Sequence, residues 1–362
     1  MYKFAIVLAG GLGTKFWPKS TESSPKQFTH MVGEGTCIQN TYERLKNYFP
    51  KEHIYFVTSY DHRSIIKQQL PDVADSNIIF EPFGRNTSPA TALAVRYLLH
   101  RGADPESLFA VFPSDHIISN AGEFYNSLDI AFEAAEKLSS IVTIGIKPTR
   151  AETQFGYIQV QLSHPKANIN GNSVFDCMTF AEKPDAGTAQ RFLESGDFLW
   201  NSGIFVWKIP TFQNALANYL PEYAEKFSDL DSIFGIPNYV ESLKLLYKQI
   251  NSISLDYGIL EKATNVHCVK SSFSWSDLGN WDELHRIQMK DANNNVIEGD
   301  VVSIDNKNCF INSNGKLIAL IGLEDLIVVD SGDAILICKR GESEKVQDIV
   351  DFLRRNHIHN YL

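Results

Sequence analysis

Leu8-Ala9-Gly10-Gly11-Leu12-Gly13-Thr14-Lys15-Phe16-Trp17-Pro18 follows directly on the apolar run Phe4 to Leu8. A short β-type run that ends in clustered glycines reads as a strand entering a tight loop. Three glycines let backbone N–H groups approach phosphate oxygens with no side chain in between, and Lys15 adds a positive charge. The stretch is a candidate phosphate cradle. A P-loop would place four residues between its glycines before Gly-Lys-Ser/Thr, and a dinucleotide fingerprint would have a third glycine where Phe16 stands. Neither pattern fits, and a plain strand-to-helix turn accounts for the same glycines.

The pattern continues outward from this loop. Ile54 to Thr58, Ile78 to Glu81, Leu108 to Phe112 and Ile141 to Ile146 read as further strands. Ile38 to Tyr48, His62 to Leu70, Thr87 to Arg101 and Gly122 to Lys137 have helical apolar spacing between them. Strand and helix alternating in this way predict a mostly parallel sheet with helices on both faces, an α/β fold of Rossmann-like type. Ligands on such sheets sit at the carboxyl ends of the strands, here the loops after Leu8, Phe80 and Phe112. From Tyr157 to Trp281 the pattern is mixed, with strands near Tyr157 to Gln161, Val174 to Glu182 and Ile204 to Trp207, and helices near Gly187 to Ser195, Phe212 to Tyr219 and Tyr239 to Gln249. After Asp291-Ala292-Asn293-Asn294-Asn295 the runs become short and are broken by Asp, Asn and Gly every seven to ten residues. This predicts a small all-β unit closed by a helix from Ser343 to Arg355. The expected division is residues 1–290 and 291–362.

Composition narrows the function. With 362 residues, 44% hydrophobic and 21% charged, the chain is an ordinary globular one. Its net charge of −10 gives no global basic footprint, so no nucleic-acid partner is expected and a polyanionic ligand must meet local positive charge. The five cysteines form no C-x-x-C pair, which argues for a reducing compartment and against structural zinc. No segment approaches the roughly 20 apolar residues needed to cross a bilayer. A cytoplasmic protein without membrane contact is expected.

Further motifs supply candidate chemistry. Lys26, in Ser24-Pro25-Lys26-Gln27-Phe28, is a second cation within reach of the glycine loop. Glu81-Pro82-Phe83-Gly84-Arg85-Asn86-Thr87-Ser88-Pro89 ends a strand and caps a helix; capping alone explains Asn86, Thr87 and Pro89, while Arg85, Asn86 and the helix start also suit a nucleotide. Phe112-Pro113-Ser114-Asp115-His116 ends another strand. A carboxylate there can hold Mg²⁺, which takes one or two protein carboxylates and completes its shell with waters and phosphate oxygens; a plain turn explains Asp115 as well. Asp277, in Trp275-Ser276-Asp277-Leu278-Gly279-Asn280-Trp281, is a possible distant partner on a short loop flanked by aromatics. Gly156-Tyr157-Ile158, Glu182-Lys183-Pro184, Trp200-Asn201-Ser202-Gly203 and Asp256-Tyr257-Gly258 set carboxylates and amides near aromatic rings, as a sugar site requires. No G-x-S-x-G elbow and no H-E-x-x-H occurs.

Taken in order over residues 5 to 285, GGLGTKFWPKS, PKQF, EPFGRNTSPA, FPSDH, FGYI, FAEKP, WNSGIFVW, LDYGILEK and WSDLGNW resemble the mannose-1-phosphate guanylyltransferases of the sugar nucleotidyltransferase family. The C-terminal part resembles the short left-handed β-helix-like tail of the monofunctional members. The resemblance implies a GT-A-like nucleotidyltransferase domain that makes GDP-mannose and pyrophosphate from GTP and α-D-mannose 1-phosphate. It implies Asp115 and Asp277 as the Mg²⁺ carboxylates, and Lys15, Lys26 and Asp115 as the catalytic set. Leu8, Ala9, Gly10, Gly11, Gly13, Thr14, Lys15, Glu81, Arg85, Asn86, Thr87, Ser114 and Asp115 match the nucleotide side. Gly156, Tyr157, Glu182, Lys183, Asn201 and Asp256 match the sugar-phosphate side. A homodimer is implied as well. Lys15 stands where the family commonly has arginine; lysine keeps the charge but loses the planar fork, so weaker transition-state stabilisation is expected. A transferase for another hexose or heptose 1-phosphate and a non-catalytic sugar-nucleotide sensor are the rival expectations.

Overall fold

The computed structural model describes residues 2–228, 230–234 and 239–362. Along the chain run β1 (Lys3–Leu8), β2 (Ile54–Ser59), β3 (Ile78–Glu81), β4 (Leu108–Pro113), β5 (Ile117–Ile118), β6 (Ile141–Ile146), β7 (Gly156–Val160), β8 (Ala167–Ile169), β9 (Asn172–Glu182), β10 (Phe198–Lys208), β11 (Val266–Ser271) and β12 (Trp275–Ser276). The tail adds β13 (Val296–Glu298), β14 (Val301–Ile304), β15 (Phe310–Asn312), β16 (Ile318–Ile321), β17 (Leu326–Asp330) and β18 (Ile335–Lys339). Two compact units emerge. The first comprises residues 1–10, 42–114 and 118–275; the second comprises 11–41, 115–117 and 276–362.

The first unit is built on a ten-stranded sheet in the order β3-β2-β1-β4-β10-β6-β11-β9-β7, with β8 paired to β9. Pairing is parallel from β3 through β4 and again between β6 and β11, while β10 runs antiparallel to both β4 and β6. The parallel strands are continuously apolar because both faces are covered. Ile6, Val57 and Val111 pack with Ala90, Leu93 and Ala94 of the helix Thr87–His100. On the other face Phe112 meets Phe124 of the helix Ala121–Leu138, with ring centroids 6.3 Å apart. Helices thus cover both faces, as the alternation of periods predicts. β11 and the helix Pro221–Ser228 were not foreseen: β11, Val-His-Cys-Val-Lys-Ser, carries a His and a Lys that interrupt its apolar run.

In the second unit β13, β15 and β17 stack in parallel, β18 joins antiparallel, and β14 stacks on β16. Val296 pairs with Phe310 and Phe310 with Ile327, so successive coils of chain lie on one another in a β-helix-like manner. The Asn and Asp residues make the corners. Asn294, Asp305, Asn308 and Asp325 take left-handed φ, which short polar side chains tolerate. The buried Asn306 amide donates to the Leu320 carbonyl and its oxygen accepts from Leu323 N–H, linking neighbouring coils. Phe16, Trp17, Trp281, Phe310, Ile327, Leu336, Val346 and Val350 share one core. The glycine-loop segment therefore folds with the tail strands and the closing helix Val346–Arg355.

Candidate active site

In the first unit the parallel register brings the ends of β1, β3 and β4 to one edge of the sheet. Ser114 N–H donates to Leu8 O at 3.1 Å and Ala9 N–H donates to Val57 O at 2.8 Å, so the backbone leaving each strand is held by its neighbour. Glu81, at the end of β3, is buried at 3% exposure. Its Oε1 accepts from the Tyr247 hydroxyl at 3.1 Å, and its Oε2 lies 3.4 Å from where a Cβ on Gly10 would stand. Burial pushes the Glu81 carboxyl up to about 8 against the pull of that hydroxyl. Tyr247 escaped the sequence reading, because on the helix Tyr239–Lys248 it is indistinguishable from core.

Arg85 donates from Nε to the Tyr247 carbonyl at 3.1 Å, and its guanidinium sits 5.0 Å from the centre of the Phe83 ring. Asn86 has φ 73, and its side chain accepts from Thr87 N–H, capping the helix Thr87–His100. Thr87 Oγ1 accepts from Leu255 N–H at 2.8 Å. This segment therefore orders the neighbouring loop as well as its own helix.

The sugar-side candidates lie on β7, β9, β10 and a π-helical turn, Asp256–Leu260. Gly156 pairs with Glu182, and a Cβ on Gly156 would fall 2.3 Å from Glu182 Oε1. Only glycine lets the carboxylate lie across β7. Asn201 sits where β10 loses register with β6. Its Nδ2 donates to Asp256 Oδ1 at 2.9 Å, and its Oδ1 accepts from Gly203 N–H. Burial and then the nearby Asp256 push the Glu182 carboxyl up to about 7; burial also raises Asp256. Two carboxyl groups and one amide thus form a compact hydrogen-bonding set. Lys183 follows with φ 49. Tyr157 differs from its neighbours: its side chain is fully buried, and its hydroxyl bonds the backbone of Glu152, donating to O and accepting from N–H, both at 2.9 Å.

The second unit gathers the cations and the remaining carboxylates. Gly13 has φ 62 and opens the 3-10 turn Thr14–Phe16. A Cβ there would fall 2.2 Å from Lys26 Cβ, so glycine lets the loop lie on the Lys26 stem. The Lys26 ammonium is 2.7 Å from Asp115 Oδ2 and donates to the Asp277 carbonyl at 2.8 Å. Residues 162 positions apart in sequence, Asp115 and Asp277, are therefore joined through one ammonium. Burial opposes charge on Asp115, but Lys26 and His116 outweigh it and hold the carboxyl below its usual range. Burial pushes Cys37 beside them up to about 12, which keeps that thiol protonated and inert. Asp115 meets this lysine through its carboxylate and Asp277 through its main-chain carbonyl; aspartate carboxylates are the oxygen donors that suit a hard divalent cation sharing phosphate oxygens. Among the described residues no group of three or more His, Cys, Asp or Glu forms a closed metal cage.

WSDLGNW, expected as a short loop, also begins a helix. Asn280 caps Trp281–Ile287 by accepting from Glu283 N–H. Two tail residues complete the surroundings of the glycine loop. Lys15 is ion-paired with Glu344, and Thr14 donates to Gln347. Nothing in the local sequence marks either tail residue, since both sit at polar positions of an amphipathic C-terminal segment.

Residues 4–294 match the family model described as Nucleotidyl transferase, and residues 299–353 match a MannoseP isomerase/GMP-like beta-helix domain. A mannose-1-phosphate guanylyltransferase of Escherichia coli is 34% identical over 98% of this chain and 75% of its own length. The alginate biosynthesis protein AlgA of Pseudomonas aeruginosa is 34% identical over 95% of this chain and 71% of its own. Among solved structures, a Thermus thermophilus protein named as a mannose-1-phosphate geranyltransferase superposes with a TM-score of 0.86 at 30% identity, covering 98% of this chain and all of that one.

Proposed function

From the premise that this chain belongs to the nucleotidyl transferase family, among the mannose-1-phosphate guanylyltransferases, we propose that it transfers GMP from GTP to α-D-mannose 1-phosphate. A phosphate oxygen of the sugar phosphate attacks the α-phosphorus in line. The bond from that phosphorus to the bridging oxygen of the β-phosphate breaks, and pyrophosphate leaves. GDP-mannose is the product. No covalent enzyme intermediate is involved, so catalysis is positioning plus charge stabilisation.

The residues divide by chemistry. The amides of Gly10 to Thr14, with Lys15, take the triphosphate and the leaving pyrophosphate. Glu81, Asn86 and Ser114 serve the guanosine. Glu182, Asn201 and Asp256 take sugar hydroxyls, and Lys183 the sugar phosphate. Divalent metal is general to the family, and Mg²⁺ is the ion proposed, held by Asp115 and Asp277. When bound, it neutralises charge on the phosphate oxygens. Lys26, paired with the Asp115 carboxylate and bonded to the Asp277 main-chain carbonyl, holds their two segments together.

The observation that carries this assignment is the meeting of Lys26 with Asp115 and Asp277. Lys26 pairs with the Asp115 carboxylate and donates to the Asp277 main-chain carbonyl, which brings together the two segments that bear the proposed metal carboxylates. The test is pyrophosphate release by purified protein with Mg²⁺, run against a panel of sugar 1-phosphates and all four nucleoside triphosphates. Release confined to GTP with mannose 1-phosphate is expected; turnover only with a different sugar phosphate would replace the substrate, and none with any would leave a sensor.

Residues 1–290 are proposed as the transferase segment and 291–362 as the β tail, in keeping with the two family matches. Val302, Ile304, Leu317, Ile321, Ile335 and Ile337 are exposed apolar side chains on that tail, and they support a homodimer formed through it. Light scattering on the eluting protein checks the mass. Cytoplasmic residence is proposed from five cysteines without a disulfide. Among the described residues no helix is long and apolar enough to cross a membrane.

A further inference from the structure

The 3-10 turn Thr14–Phe16 is a weak element by itself. Phe16 N–H to Gly13 O at 3.0 Å and Trp17 N–H to Thr14 O at 3.1 Å are its backbone bonds, and one such turn does not hold a lysine side chain in place. The tail does this from outside. One Glu344 carboxylate oxygen accepts from the Lys15 ammonium and the other accepts from the Asn280 amide. Gln347, one position beyond the start of the helix Val346–Arg355, accepts from the Thr14 hydroxyl and donates to Asp351 at 2.9 Å. Both polar residues of the turn are therefore bound by consecutive parts of one C-terminal segment.

The holder is itself fixed. Ser343, next to Glu344, is fully buried; its hydroxyl donates to Asp282 Oδ2 at 2.6 Å and accepts from Asp282 N–H at 3.2 Å. Asn280 lies three residues after Asp277, and its oxygen accepts from Glu283 N–H at 2.8 Å. Further along, the Trp17 indole donates to the Tyr361 carbonyl at 2.7 Å and Arg354 pairs with Glu22 at 3.0 Å. The side chains of Lys15 and Glu344 remain about one-third exposed, at 32% and 35%. An ion pair that exposed adds little stability. It does remove the rotamer freedom of a four-carbon stem.

We propose that Glu344 is a positioning residue for nucleotide binding: with Asn280 behind it and Gln347 beside it, it holds the Lys15 ammonium where the triphosphate arrives. The proposal rests on the GTP-binding role assigned to the glycine loop above. Through Asn280, the same carboxylate ties that loop to the segment bearing Asp277. The β tail thereby takes part in substrate binding as well as in folding.

The test is the dissociation constant of Mg²⁺-GTP, measured by calorimetry without sugar phosphate, in a cycle of wild type, Glu344→Gln, Lys15→Ala and the double variant. Glu344→Gln is expected to weaken binding about tenfold, and to change it less than twofold once Lys15 is alanine. Gln347→Leu, which removes the Thr14 contact and the bond to Asp351 but leaves the Lys15–Glu344 pair, is expected to give a smaller loss. Asp348→Asn, the same charge change at an exposed position of the helix Val346–Arg355 that follows Glu344, is expected to leave binding unaltered. KM for mannose 1-phosphate stays at the wild-type value in Glu344→Gln and Gln347→Leu. Tighter GTP binding by Glu344→Gln would make Glu344 a competitor for Lys15 and overturn the proposal. Equal losses with and without Lys15, or no loss, would overturn it too. Wild-type pyrophosphate release is recorded separately: its absence alongside intact GTP binding would count against the transfer reaction and leave the Glu344 result standing.

Discussion

Lys26 and Asp115 face each other across 2.7 Å, with the Lys26 side chain only 6% exposed. The Asp277 main-chain carbonyl is a second partner of the same ammonium. Removing one member leaves the other charge poorly compensated, which is more damaging than losing both. Lys26→Met is expected to destabilise the protein by about 1–3 kcal/mol, discounted for the part-exposed aspartate. Lys26→Met with Asp115→Asn should recover part of that loss. Urea midpoints measure both, and an unchanged midpoint for the single variant would remove the pair from the account of stability.

The metal assignment leads to a different measurement. Asp115→Asn and Asp277→Asn each keep size and shape while removing one anionic ligand. Each is expected to lower turnover by about a hundredfold or more and to raise the Mg²⁺ concentration needed for half-maximal rate. Chelation of divalent ions should abolish wild-type turnover, and Mg²⁺ should restore it. An Asp277→Asn protein with an unchanged Mg²⁺ requirement would take Asp277 out of the metal site.

Two glycines of one loop separate folding from binding. Gly13 has φ 62 and no room for a Cβ, whereas a Cβ on Gly11 would meet nothing within 4 Å. Gly13→Ala is expected to lower stability by about 1–3 kcal/mol through strain and the clash with Lys26. Gly11→Ala should melt at the wild-type temperature and yet weaken GTP binding several-fold, because a methyl group now stands where phosphate oxygens approach the amides. If Gly11→Ala binds GTP normally, the loop is not a cradle at that residue.

The alternating periods up to Ile146 were legible because parallel strands covered on both faces are apolar without interruption, and the helices between them carry an apolar stripe. The observed β1, β3 and β6 match the apolar runs almost residue for residue. The Asn-rich corners of the tail were legible for a similar reason, since left-handed turns select short polar side chains. β11 was not, because its polar residues look like loop when the neighbouring strands are unknown. At the site, Asp115 and Asp277 could be named as candidates, but their connection could not, as it runs through a lysine equally suited to solvent. Glu344, Gln347 and Tyr247 were invisible for the opposite reason. Their local sequence is satisfied by a surface helix or a core position, and only long-range packing gives them a second task.

Glu81 should show itself in the pH dependence of stability. The unfolded chain releases this proton near the ordinary 4.5, the folded chain near 8. Between those values the folded state binds more protons than the unfolded, so the contribution falls as pH rises through the interval and is level outside it. Glu81→Gln removes the titrating group and keeps a hydrogen-bond acceptor for Tyr247. The variant is expected to be more stable than wild type by about 2–4 kcal/mol at pH 8, and to differ little at pH 4.5. Parallel stability curves for the two proteins from pH 5 to 8 would contradict the burial effect.

Glu182 offers the corresponding test on substrate binding. Its carboxyl is raised to about 7, first by burial and then by Asp256, so below neutrality the free protein holds it protonated. A carboxylate accepts hydrogen bonds from sugar hydroxyls at both oxygens, whereas the acid offers one fewer acceptor and an unwanted donor. If the ionised form is the one that binds, the competent fraction falls about three- to fourfold between pH 8 and pH 6.5, and KM for mannose 1-phosphate rises by the same factor. Glu182→Gln is expected to have a higher KM at pH 8. It should lack this component of the pH dependence, while any contribution from the phosphate of the substrate remains common to both proteins. The ratio of the two KM profiles therefore isolates Glu182, and a ratio independent of pH would place the sugar elsewhere.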